Sequence, residues 1–332
     1  MRTGKKVFAI VMALAMIVLL FAACSTDAKP SGTTSEPAPA QTSAEDSNAA
    51  TGDMKFALAV PTLDNPYFVQ VQQGFEQKCA ELGVETVINA SDYDSAVQYS
   101  QFENYVQMGV SGVACCPVDQ TSLTDIVLEG QAKGMKFVGE AQAIDAADGN
   151  IVVDDYGYGV NNGEQAAKWI NEKLGGKAKV VLITLDHQDQ VKLRGDGMED
   201  TINELCPDSE VVYRQKAESI EEAMNVAETA LQAHPDVKVI ACVNDQMAIG
   251  ANEAVQNMGL AADDFYIGGG DWTDEVKSKM KDPGSCIRQS TDIGPAQAGI
   301  DCAQMLWDML VNGKEGSTMF FTFTPHWQED LL

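Results

Sequence analysis

The chain has 332 residues, 45% of them hydrophobic, and sets 49 Asp and Glu against 22 Lys and Arg, a formal net charge of −27. Phosphate backbones are gripped by a basic footprint, so nucleic acid is excluded as a partner. The acidity reads instead as a solvated surface that resists association and implies a monomer. Three histidines in the whole chain leave little material for metal sites or His-based catalysis.

Met1 to Lys6 is short and basic, with Arg2, Lys5 and Lys6, and Val7 to Ala23 is an unbroken apolar run. A basic start, an apolar stretch and small residues at its end describe an export signal. Ala22-Ala23-Cys24 resembles the lipobox of bacterial lipoproteins, although Phe21 stands where that pattern more often has Leu. In this reading residues 1–23 are a signal peptide and Cys24 is the lipidated first residue. The alternative is an uncleaved membrane anchor of minimal length. Both place the protein on the extracytoplasmic face of the cell membrane. Ser25 to Thr51 has no Val, Ile, Leu, Met or aromatic residue. Residues 24–53 are therefore expected to form a solvated tether, which as a coil would span roughly 30 Å.

From Lys55 onward short apolar strands alternate with amphipathic helices. The strand Phe56–Val60 precedes a helix over Pro66–Leu82, whose Phe68, Val71, Phe75, Cys79 and Leu82 recur at three- and four-residue spacing. Asn65 is placed to cap that helix, Pro66 fits its first turn and Gly83 ends it. Further strands are expected at Val84–Ile88, Val110–Cys115, Lys136–Gly139, Ile151–Val153, Val180–Thr184, Val211–Tyr213, Val237–Val243, Tyr266–Gly269, Cys286–Gln289 and Phe320–Thr324. Ser219-Ile-Glu-Glu222 reads as a capping box opening a helix that Pro235 stops. Such alternation means parallel sheets covered on both faces. The units are too many for one open sheet, so the expected fold class is α/β, with two doubly wound parallel-sheet lobes. Gly74-Phe75-Glu76 and Gly197-Met198-Glu199, each in the first helix of its lobe, hint at an internal duplication.

Cys24 apart, the cysteines are odd in number, have no C-x-x-C spacing and fall where side chains are expected to be buried, so they read as free thiols and point to a reducing habitat. There is no phosphate loop, H-E-x-x-H or G-x-S-x-G. His187, in Asp186-His187-Gln188-Asp189, reads as part of a polar loop. Gly157, Gly159 and Gly163 have the wrong spacing for a dinucleotide fingerprint and read as turn residues. No catalytic residue, metal or cofactor is expected, and the protein is not expected to be an enzyme.

Ligands of doubly wound sheets sit at the carboxyl ends of the strands, and two facing lobes would bring those ends to one cleft. There the sequence places Asp64, Asn65, Tyr67 and Phe68 after the first strand, Asn244 and Asp245 after Val237–Val243, Asp271 and Trp272 after Tyr266–Gly269, and Gln289 at the end of its strand. Amides and carboxylates beside aromatic rings suit a small polyhydroxylated molecule. The same side chains also have plainer uses. Asn65 and Asn244 would serve as helix caps, Asp271 as a turn residue, and Tyr67 and Phe68 as core. Trp272 would either reshape the pocket or cover the hinge.

Val60-Pro-Thr-Leu-Asp-Asn-Pro-Tyr-Phe68, Leu193-Arg-Gly-Asp-Gly197, His234-Pro-Asp-Val237, Asn244-Asp-Gln-Met-Ala-Ile-Gly250 and Gly269-Gly-Asp271 occur in the order found in the ribose-type periplasmic sugar-binding proteins of bacterial ABC importers, in their lipoprotein form. Residues 55–332 resemble that family. The resemblance implies a periplasmic binding protein fold of type I, with lobe 1 formed by 54–154 plus 290–318 and lobe 2 by 155–289 plus 319–332. A three-segment hinge would lie near Asp154, Gln289 and Phe320. Ligand contacts would come from Asn65, Tyr67, Phe68, Gln142, Lys192, Asn244, Asp271 and Gln289. The family carries an Asp-Arg pair where this chain has Ala141-Gln142, with Glu140 just before, and Lys192 is read as standing where the family has an arginine. Losing a charged pair changes hydroxyl recognition, so ribose itself is not the expected ligand. The implied function is capture of a small neutral solute, a sugar first, by lobe closure and its delivery to an ABC permease and ATPase. The alternatives are a sensor feeding a chemoreceptor or histidine kinase, and a non-sugar solute such as a polyol, nucleoside or furanone-type signal.

Overall fold

The computed structural model describes residues 54–186 and 189–332. The signal peptide, Cys24, the tether and His187 lie outside the described residues. In chain order the first half runs β1 (Lys55–Val60), α1 (Pro66–Leu82), β2 (Glu85–Ala90), α2 (Ser95–Met108), β3 (Gly112–Cys115), α3 (Thr124–Ala132), β4 (Lys136–Ala141) and β5 (Gly149–Val152). The second half runs α4 (Asp155–Lys173), β6 (Lys179–Thr184), α5 (Asp189–Leu205), β7 (Glu210–Lys216), α6 (Ile220–Ala233), β8 (Val239–Cys242), α7 (Asp245–Asn257), β9 (Tyr266–Asp271), α8 (Asp274–Met280) and β10 (Ile287–Asp292). Then follow α9 (Pro295–Leu310), β11 (Thr318–Phe320), β12 (Thr324–Trp327) and a short 3-10 turn (Gln328–Leu331).

The strands form two six-stranded sheets, ordered β11-β5-β4-β3-β1-β2 and β12-β10-β9-β8-β6-β7. The two orders are the same pattern written twice, which is the α/β doubly wound architecture in duplicate. Every pairing is parallel except that of β12 with β10. Strands covered on both faces are apolar on both faces. Along β1, Phe56, Leu58 and Val60 join one core while Ala57 and Ala59 join another on the opposite side of the sheet. The second sheet has its own core, from Ala166 to Ile287. All the described residues belong to one compact unit.

The helix pairs that flank the cleft repeat the duplication. Gly74 of α1 and Gly299 of α9 let those helices touch backbone to backbone, since a Cβ would come within 1.9 Å of the Ala296 oxygen and 2.0 Å of the Val71 oxygen respectively. In the second lobe Gly159 of α4 and Gly197 of α5 do the same, with a Cβ 2.1 Å from the Arg194 oxygen and 2.5 Å from the Tyr156 oxygen. Gly157, Gly159 and Gly163 are thus not turn residues as the sequence suggested. They lie inside α4, and their spacing serves helix packing in the case of Gly159 and Gly163.

The chain passes between sheets at 153–154, 293–294 and 321–323. β10 runs three residues beyond the expected boundary at Gln289, and β11 stays with the first sheet to Phe320. The single strand expected over Phe320–Thr324 is two strands in different sheets, because the third crossing interrupts it. The Ser219 hydroxyl accepts from the Glu222 amide at 3.1 Å, but the Glu222 carboxylate takes the Glu218 amide at 2.8 Å, so only half of the expected capping box forms.

Candidate functional site

The carboxyl ends of the strands from both sheets meet at a cleft lined by residues of both lobes, where ligands of doubly wound sheets sit. Of the eight residues expected there, Asn65, Tyr67, Phe68, Gln142, Asn244 and Asp271 line it. Asn65 and Asn244 combine their two readings. Each caps a helix through its side-chain oxygen, accepting from the amide of Tyr67 at 2.9 Å and of Met247 at 3.0 Å, so the cap fixes a rotamer that leaves the NH₂ group for other partners. The Asn65 side chain hydrogen-bonds the Tyr93 hydroxyl. Tyr67 and Phe68 meet edge to face at 5.1 Å between centroids, and both are nearly buried.

Two expected residues are placed elsewhere. Lys192 is exposed and pairs with Asp196 one turn along α5, at 3.8 Å. The cation in the cleft is Arg194, two residues on and so on the opposite side of the helix. Gln289 is fully buried within lobe 2, where it accepts from the Tyr266 hydroxyl at 3.3 Å and donates to Thr291 Oγ1 at 2.8 Å. Both ends of its amide are engaged beneath β9, so it does not line the cleft. Trp272 does not line it either. Its ring stacks on His326 at 4.3 Å, which makes it a cover over lobe 2 near β12.

Sequence reasoning missed Arg194, Asp155 and Tyr93. Arg194 Nε donates to Asp155 Oδ1 at 2.5 Å, and its guanidinium lies 5.0 Å from the Tyr158 ring centroid. Asp155 Oδ2 accepts from Gln142 Nε2 at 3.0 Å, a hydrogen bond from the end of β4 to the start of α4 across the first crossing. An Asp-Arg pair is therefore present after all. It is built from α4 and α5 of lobe 2 and only touched by the Ala141-Gln142 stretch. Tyr93 follows β2 and lines the cleft together with Asn65 and Cys116. A polar-aromatic run, Ser91-Asp92-Tyr93-Asp94, at a strand's carboxyl end was the signal for it.

The five non-glycine residues with φ in the left-handed region are Asp92 (51°), Tyr93 (60°), Ala141 (56°), Asp271 (118°) and Trp272 (58°) among the described residues. All follow or end β2, β4 or β9, and three of them, Tyr93, Ala141 and Asp271, line the cleft. Backbone held in sparsely populated regions tends to cluster where a surface is shaped for a task.

The site's acids are shifted by burial. Asp271, 3% exposed, accepts from the Tyr158 hydroxyl at 3.3 Å. Burial, and then the neighbouring Asp245, hold its carboxyl well above the usual range against the pull of Arg194. Asp245 is raised by burial too, although Ser290 Oγ (2.6 Å), Thr273 N (2.8 Å) and Thr273 Oγ1 (3.0 Å) donate to it. Beneath the first lobe's wall, Tyr67 donates to Glu140 Oε1 at 2.5 Å, and burial pushes Glu140 up to about 7. Acids driven toward their neutral forms, beside a cation already paired, make a cleft with little net charge. Among the described residues no group of three His, Cys, Asp or Glu side chains is placed to hold a metal ion. The cysteines from Cys79 to Cys302 are free and buried, and burial raises their thiols, so they behave as small apolar core residues. Cys116 alone among them lines the cleft.

Residues 56–315 match the family model described as periplasmic binding protein domain. The chain belongs to the periplasmic binding protein family. Among its relatives is the ribose import binding protein of Bacillus subtilis, 28% identical over 280 residues that cover 84% of this chain and 85% of that one. The D-allose-binding periplasmic protein of Escherichia coli is 27% identical and covers 81% and 88%. In structure, the Caulobacter myo-inositol binding protein bound to myo-inositol superposes with a TM-score of 0.74 at 22% identity, over 84% of this chain and 95% of that one. Periplasmic binding proteins bind solutes for import and are not enzymes, and they work outside the cytoplasm. Among the described residues no helix is long and apolar enough to cross a membrane.

Proposed function

We propose that this periplasmic binding protein captures an uncharged sugar or cyclic polyol between its lobes and hands it intact to an ABC permease, while a lipid on Cys24 tethers it, as a monomer, to the outer face of the cell membrane. One observation carries the reading. Both lobes contribute fixed amides, a buried carboxyl and aromatic rings to a single cleft with little net charge. Hydroxyl groups are then matched by oriented donors and acceptors, and the C–H faces of a ring by Tyr67, Phe68 and Tyr93. A guest that touches both lobes binds the closed form better than the open one, so closure follows by population shift. The relatives, named for ribose, D-allose and myo-inositol, favour a neutral polyhydroxylated guest over a nucleoside or furanone.

The direct test is thermal unfolding of the mature protein against a panel of pentoses, hexoses, inositols and nucleosides. A true ligand at 100 times its dissociation constant adds about 2.7 kcal/mol of stability. A flat response across every sugar and polyol would reject the reading. For the tether, Cys24→Ala should move the protein from the membrane fraction to the soluble one with its ligand binding intact. Two acyl chains hold firmly where none would hold at all. Continued membrane retention of that variant would instead indicate an uncleaved anchor.

A further inference from the structure

Arg194 supplies the only cation among the described residues that line the cleft. A bare guanidinium in a buried, low-dielectric site attracts carboxylates and phosphates strongly. Here it is met by Asp155, whose two oxygens are both engaged, Oδ1 by Arg194 Nε at 2.5 Å and Oδ2 by Gln142 Nε2 at 3.0 Å. Gln142 is itself held from the loop after β3, its oxygen accepting from Gln120 Nε2 at 3.4 Å. Asp155 sits in the first turn of α4, where the unpaired N–H groups of the helix favour negative charge. The other acids that act on Arg194 or feel it are Asp271 and Glu140, and burial drives both toward their neutral forms. Asp155 is thus the counterion.

We propose that Asp155 is a specificity-determining residue: by neutralising Arg194 it restricts the cleft to uncharged polyhydroxylated guests and turns away the corresponding sugar acids. The proposal rests on the function proposed above. It also explains the Ala141-Gln142 departure. A second arginine, at 142, would need a counterion that Ala141 does not supply, whereas Gln142 positions Asp155 without adding charge.

The test compares the mature wild-type protein with Asp155→Asn, by calorimetry at low and moderate salt. The probes are matched neutral and acid pairs: D-ribose with D-ribonate, D-galactose with D-galacturonate, and D-glucose with D-gluconate. Asn keeps the shape and one acceptor but leaves Arg194 unpaired. The ratio of acid to neutral affinity should rise on the order of tenfold to hundredfold, and salt should erode the gain in the variant only. Asp155→Glu should restore rejection of the acids, which a merely structural role for the side chain would not predict. The complementary variant Arg194→Met leaves the carboxylate unpaired and should gain binding of D-glucosamine or D-galactosamine. It decides the matter should Asp155→Asn fail to fold. An unchanged ratio in the variants, or a wild type that already prefers the acids, overturns the proposal. If no neutral compound binds the wild type, the proposed function falls, and the gain or absence of acid binding in Asp155→Asn still decides this inference.

Discussion

Asp271→Ala is expected to weaken ligand binding by about 100-fold or more, while the ligand-free protein becomes no less stable at pH 8. The first half follows from position. Asp271 lines the cleft at the end of β9; a hydrogen bond from a ligand hydroxyl to a neutral carboxyl is worth about 0.5–1.5 kcal/mol, and partners left unpaired in a closed site add about 1–3 kcal/mol to the loss. The second half follows from what the native state tolerates to keep it there. Its φ of 118° is strained for any side chain. Burial and Asp245 hold its carboxyl above the usual range. A carboxyl raised in the folded state contributes stability that is fully present below the unfolded value of about 4 and lost as pH climbs through the folded value. The wild type should therefore lose ground to the variant as pH rises from 4. Asp271→Gly, which also relieves the backbone, should gain more than Asp271→Ala. Calorimetric titration with the ligand found by the panel, and melting curves at pH 5 and pH 8, check both halves. Unaltered affinity would remove Asp271 from the site.

Asp271, Asn244 and Asn65 are legible in the amino-acid sequence because they follow apolar strands directly, and the carboxyl ends of such strands converge whatever the packing details. Their capping roles do not compete with the cleft, since a cap occupies the amide oxygen alone. Lys192 fails for a geometric reason. A motif gives the neighbourhood of a helix but not its face, and two residues along α5 turn the side chain by about 200°. The signal is nonetheless present. Val191, Arg194, Met198 and Ile202 recur at three- and four-residue spacing and are all buried, so the arginine lies on the inward stripe, while Lys192 and Asp196 form an outward pair. Gln289 was expected at a strand end, but the strand continues to Asp292. Asp155 has no local signature. Its role exists only because α4 and α5 pack closely through Gly159 and Gly197, a contact between segments far apart in sequence. The glycine spacing is visible as a pattern, but its meaning requires the partner helix.

Glu140→Gln should leave stability near that of the wild type at pH 5 and exceed it by up to about 3 kcal/mol above pH 8. Glu140 is fully buried. One oxygen accepts from Tyr67, and the other has no hydrogen-bond partner among the described residues. Around it lie Cys115 and Cys116 of the β3 end, Cys302 of α9, Tyr67 of α1 and, more remotely, Arg194. None of these lies against it as a cation. Burial is the dominant influence, lifting the carboxyl to about 7, with the Tyr67 hydrogen bond and Arg194 pulling the other way. The unfolded chain releases this proton near 4.5. Stability from the neutral form is complete below that pH and disappears as pH passes 7, and the gap between the two values converts to about 3 kcal/mol. Gln reproduces the shape of the neutral acid and never ionises, so it still accepts from Tyr67 and escapes the loss. Other buried acids, Asp245 and Asp271 among them, tilt the pH profile of both proteins alike, and the difference between wild type and variant isolates Glu140. Denaturant midpoints of the two proteins across pH 5 to 9 provide the measurement. Parallel profiles would mean that water or a ligand-like donor already reaches the second oxygen and keeps the carboxylate charged. Divergence above pH 7 would mean that the wall behind Tyr67 is held by a proton.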